Sequence, residues 1–172
     1  MYAGGLRLRL IADNFENMLR TSLDDLGWFD SGRKHKDVVL ISKPLNPDEE
    51  IKPNMIGISA EDRYGIGWEL GSEFEETTWE FYIDIFAESN SVGVHLAGDV
   101  LDICKGKLSS IGRDRPNLEV LDLTMATPTT LFYCNFDTIE MARQRVWNKP
   151  HQQFWWTVLV EVVDAYYDEG ED

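Results

Sequence analysis

Residues 77–89 read TTWEFYIDIFAES. The odd positions are Trp79, Phe81, Ile83, Ile85 and Ala87. That is an unbroken apolar side at the period of two that sends alternate side chains to opposite sides of a β-strand. The even positions, Glu80, Tyr82, Asp84, Phe86 and Glu88, mix acids with two aromatics. A strand with one wet side shows water a polar side, so Tyr82 and Phe86 predict that this side is also partly covered.

The stretch FWWTVLVEVVDAYYD, residues 154–168, repeats the pattern. Phe154, Trp156, Val158, Val160 and Val162 share one side; Trp155, Thr157, Leu159, Glu161 and Val163 share the other. Tyr82, Phe86, Trp155, Leu159 and Val163 are therefore expected to line a second apolar surface. Either the excursion over residues 43–77 or a neighbouring copy must cover it, because monomers rarely expose large contiguous apolar patches.

Two helices are predicted around these strands. Over 6–26, Leu8, Ile11, Phe15, Met18, Leu19 and Leu26 form one stripe, with Gly27 as the stop. Over 90–111, Val92, Leu96, Val100, Ile103, Cys104, Leu108 and Ile111 form another, with Asn90 or Ser91 as N-cap. Further strands are expected at 38–42, 55–59, 118–125, 131–136 and 139–147. The Pro-rich 43–54 is expected to be a loop or arm, and 168–172 an acidic tail. The order helix, strands, helix, strands gives an α+β fold: one domain over 1–172, with a largely antiparallel sheet and two helices packed on one face. The doubly apolar sheet further suggests a ring-forming subunit of a closed homo-oligomer. The alternative is a monomer that covers itself.

Composition narrows the partners. The chain has 172 residues, 43% of them hydrophobic, and a net charge of −15. A domain of this size buries roughly 70% of its unfolded surface and needs no disulfide or metal. So acidic a chain would gather counterions on nucleic acid instead of releasing them, which argues against DNA binding. No apolar run approaches the ~20 residues of a membrane span, and Arg7, Arg9 and Asp13 interrupt the start, unlike a secretory signal.

The chemical motifs are weak. In GIGWELG, Gly65, Gly67 and Gly71 miss the dinucleotide spacing by one residue and precede a strand, so they point to a turn and no cofactor. His35, His95 and His151 lack metal-ligand spacing; His95 and Asp99 are expected to form a surface pair on their helix. Cys104 and Cys134 are expected to be buried and reduced. GRKHK, residues 32–36, is expected to be a solvated loop. No catalytic, cofactor-binding or metal residue is assigned, and the chain is not expected to be an enzyme.

Several segments together carry a resemblance. A helix ends in LDDLGWF; WELGSEFEETTWEFYIDIFAES follows; then come HLAGDVLDICKGKL and the closing FWWTVLVEVVDAYYD. Over roughly residues 6–167 the chain resembles the tail terminator proteins of long-tailed bacteriophages. The resemblance implies a structural virion protein, assembled in the host cytoplasm as a hexameric ring on the head-proximal end of the tail tube. Its implied partners are further copies of itself, the tail tube protein and a head-completion or neck protein, with DNA passing through the lumen unbound. Another head–tail connector, a cytosolic binding domain and an unrecognised enzyme are the alternatives. Trp68, Leu70 and Phe74, on or beside Gly-flanked loops, are the candidate interface anchors; local loop packing is the competing explanation.

Overall fold

The computed structural model describes residues 4–29, 38–41, 43, 45, 54–63, 74–106, 117–144 and 154–167. The element order is α1 (Gly4–Asp25), β1 (Val39–Ile41), β2 (Met55–Arg63), β3 (Phe74–Phe86), α2 (Asn90–Cys104), β4 (Asn117–Leu121), β5 (Thr130–Gln144) and β6 (Trp155–Tyr167). The strands form one six-stranded sheet in the order β1-β2-β3-β6-β5-β4. Among the described strands only β1 and β2 run parallel. The α+β class with a mostly antiparallel sheet is as expected.

Both helices pack on the side carrying Trp79, Phe81, Ile83, Ile85, Val158, Val160 and Val162, all buried. On α1, Ile11, Phe15, Leu19 and Leu23 are fully buried, each contributing about 1.5–3 kcal/mol by leaving water. Phe15 meets Phe81 at a ring-centroid distance of 4.4 Å. Helix α2 comes so close to β6 that a Cβ on Gly93 would lie 2.6 Å from Trp156 Nε1.

The helix ends follow local chemistry. Gly27 has φ +79°, and its N–H donates to Asp24 O (2.8 Å) while Trp28 N–H donates to Leu23 O (3.0 Å). That pair of bonds is the glycine-terminated Schellman closure. The N-cap of α2 is Ser89, whose Oγ accepts from Val92 N–H at 3.3 Å, one residue before the expected caps Asn90 and Ser91. The helix ends at Cys104, short of the expected 111; Leu108 and Ile111 lie outside the described residues.

Two strand expectations are corrected. The runs 131–136 and 139–147 are not separate strands; β5 continues through them. A register shift between Phe136 and Ile139 sets Asp137 and Thr138 opposite the single residue Glu161, so the extra residue of a bulge returns Ile139 to the helix side. Strand β4 stops at Leu121 instead of continuing to Met125.

Long-range polar contacts among the described residues tie α1 to the sheet, and two stand out. The first closes the outer edge of β4. Asn14 Nδ2 donates to Leu121 O (3.0 Å), and Leu121 N–H donates to Asn14 Oδ1 (2.9 Å). The side-chain amide thus takes the place of a neighbouring strand on an edge that would otherwise be open to pairing. The second joins Arg7 to Asp164 of β6. Arg7 Nη2 donates to Asp164 Oδ1 at 2.7 Å, Nε donates to Oδ2, and the guanidinium lies 3.7 Å from the Phe132 ring centroid.

Asp164 is fully buried, so removing Arg7 strands a carboxylate in the core. Arg7→Met is expected to lose about 3–5 kcal/mol in urea unfolding, and Arg7→Met/Asp164→Leu to recover most of it. Equal losses in the single and double variants would refute that account.

Candidate interface surface

The second side of the sheet is built in rows set by the strand register. Met55, Phe86, Trp155 and Gln144 form one row; Gly57, Asp84, Thr157 and Ala142 the next; Ser59, Tyr82, Leu159 and Glu140 a third; Glu61, Glu80 and Glu161 a fourth.

The first row is covered by the chain itself. Phe86 and Trp155 are buried with Leu45 in a small apolar cluster, flanked by Ile41 and Met55. Their rings stand 6.3 Å apart at 60°, the tilted geometry aromatic pairs favour. Gly57 makes the cover possible: a Cβ there would lie 2.6 Å from Lys43 O and 2.8 Å from Leu45 Cγ. The segment through Lys43 and Leu45 therefore crosses the sheet where only a glycine leaves room. Phe86 and Trp155 were expected to line a second apolar surface and to be candidates for an interface; in the protomer they are buried. The reason is a long-range contact from the segment 43–77, the first of the two covers considered above.

The inner rows are polar or half-buried. Asp84 Oδ1 accepts from Thr157 Oγ1 (2.7 Å) and Trp155 Nε1 (3.2 Å). Tyr82 donates its hydroxyl proton to Glu80 Oε2 at 2.7 Å, which explains an aromatic among acids: its oxygen serves a buried carboxylate. Tyr82, Leu159 and Val163 are half-buried. Phe74 opens β3 opposite Tyr167. Trp68 and Leu70 lie outside the described residues, as do GIGWELG, GRKHK, residues 46–53 and the acidic tail.

A second surface was not anticipated. Residues 123–136 carry no charged side chain in a chain that is 27% charged. They form the turn between β4 and β5 and the first part of β5. Leu123 is 41% exposed, Met125 51% and Tyr133 60%. The turn is braced from within. Asp122 Oδ1 accepts from Thr124 N–H (3.0 Å) and Thr124 Oγ1 (2.6 Å), and Asp122 N–H donates to Thr129 O (2.9 Å). The Thr124 hydroxyl, then its N–H, hold the Asp122 carboxyl below its ordinary range. Asp followed by Thr-rich, Pro-containing sequence is a turn signal, and it could have ended β4 correctly.

At the opposite flank of the sheet, α1 and β2 enclose a groove of about 320 Å³. Buried Phe81 and Ile58 floor it beside Ala12 and Ala60, with Asp13, Glu16 and Lys43 around it.

Reactive chemistry is sparse. Among the described residues no cluster of His, Cys, Asp or Glu could hold a metal. Asp99 does not turn to His95; its Oδ2 accepts from Trp28 Nε1 at 2.8 Å and so links α1's C-terminal end to α2. Cys104 and Cys134 are free and buried, as expected. Burial pushes the Cys104 thiol up to about 12. Cys134 is raised too, by burial first and then by the Asp164 carboxylate. No protein-family model matches the chain, and no curated protein matches it.

Two outcomes follow. Gly57→Ala should lift the Leu45 segment, cost about 1–3 kcal/mol and raise acrylamide quenching of Trp155, isolated as the difference from a Trp155→Phe background. Unchanged quenching would show that the cover does not depend on this glycine. Both thiols should ignore a disulfide reagent at neutral pH until the chain unfolds, because the thiolate is the reacting form; rapid labelling of the native chain would contradict their burial.

Proposed function

We propose that this chain is a tail-terminator-like subunit. It closes into a ring, caps the head-proximal end of a phage tail tube, stops the tube growing and offers the neck proteins a docking surface. The observation that carries this reading is the second side of the sheet. Even after Leu45 covers Phe86 and Trp155, the row of Tyr82 and Leu159, with Val163 beyond it, remains half-buried. Such a surface suits association more than solitary life in water. The α+β order with both helices on one side is compatible with the resemblance carried by the sequence.

The mechanism is steric. One side of the ring matches the end of the tube, and the other side does not repeat that surface, so no further tube subunit adds. The row Glu61, Glu80 and Glu161 crosses three adjacent strands. Glu80 is buried beneath the hydroxyl of Tyr82, while Glu61 is exposed; exposed carboxylates such as Glu61, turned toward a lumen, repel the DNA backbone and let it pass. No step needs a catalytic group.

The test is electron microscopy of tails assembled with and without the chain. Tubes of uncontrolled length that fail to join heads are expected in its absence. Tails of normal length joined to heads without it would overturn the proposal.

A further inference from the structure

We propose that the turn Asp122–Thr129 of one copy seats Leu123 and Met125 in the groove between α1 and β2 of a second copy. This rests on the reading of the chain as a ring subunit and names the contact that would close the ring.

Charge selects the occupant. Each copy carries −15, so two copies repel over most approaches. The uncharged stretch 123–136 is bordered by the Glu119 carboxylate, which accepts from Thr130 and Tyr133; its turn end, Leu123 to Thr129, is where a second copy meets least of that repulsion, and interface cores are depleted in charge and enriched in Met and aromatics. Beside the groove stand the carboxylates Asp13 and Glu16, bridged on their own helix to Arg9 (3.8 Å) and Arg20 (2.8 Å). With Lys43 also in the lining, the rim carries both signs of charge, so a neutral segment meets no net repulsion there.

Shape and order agree with charge. The groove, about 320 Å³ and open to solvent, has room for aliphatic side chains against Phe81 and Ile58. The turn is already ordered by Asp122, and its base is held by Asn14 at Leu121, so little conformational freedom is lost on docking. Turn and groove lie at opposite flanks of the sheet, at β4–β5 and at β2. The contact is therefore heterologous: each copy gives its turn to one neighbour and its groove to the other, and the chain of contacts can close.

The test uses the full chain with Met125→Cys and Ala60→Cys together, treated with a bismaleimide at the highest soluble concentration. Both positions are exposed, and the native thiols are buried. The double variant should give a ladder of covalent oligomers and each single variant none. A second variant, Met125→Asp, should raise the concentration needed for self-association at least tenfold in sedimentation. Absence of the ladder, dimers from Met125→Cys alone, or unaltered association of Met125→Asp would overturn the proposal. A ladder from a chain whose loss leaves tail length unchanged would keep this contact and remove the capping role; no ladder beside runaway tubes would do the reverse.

Discussion

The pairing of β3 with β6 governs the rest of the molecule. Each strand has 13 residues, and they are matched from Phe74 opposite Tyr167 to Phe86 opposite Trp155. A slip of one residue would turn Val158, Val160 and Val162 away from the helices and put Thr157, Leu159 and Glu161 in their place. The same register fixes where α1 and α2 dock, because Phe15 needs Phe81 and Gly93 needs Trp156. It also aligns Phe86 with Trp155 and Glu80 with Glu161 on the far side. Core and candidate surface are two readings of one alignment.

The elements that were legible in the sequence are those whose partners repeat at a fixed period. The helix side of β3 and β6 and the stripes of both helices follow from spacing alone. Strand β5 was harder because the bulge at Asp137 and Thr138 breaks the alternation, so one strand looks like two. Strand β4 looked too long because Leu121, Leu123 and Met125 alternate with polar residues, although the Asp122 turn ends the ladder. The cover over Phe86 was one of two alternatives that the sequence left open: nothing local to Leu45 or Gly57 reports that one crosses the other. The pairing of Asp99 with Trp28 was missed for the same reason, since its nearer partner by sequence was His95. Of the candidate surface, the half-buried Tyr82, Leu159 and Val163 were anticipated, while the uncharged turn was concealed within an assumed strand.

Charge and greasiness are arranged in opposition across the protein. Acids dominate the chain as a whole, yet the residues from Leu123 to Phe136 carry none. Strong net charge keeps copies apart in solution, and a neutral window on such a surface confines where they can meet. In the proposed capping role this combination would supply restraint before the tube is finished and one permitted geometry afterwards.

The amide of Asn14 has a further consequence. It bonds to Leu10 O within its own helix as well as to both backbone groups of Leu121. The first half of α1 and the base of the β4–β5 turn therefore share a single local opening: neither can fray without releasing the other. Amide protons in the two segments would then exchange with solvent as one cooperative unit, and mechanical load on the turn would be passed directly to the N-terminal helix.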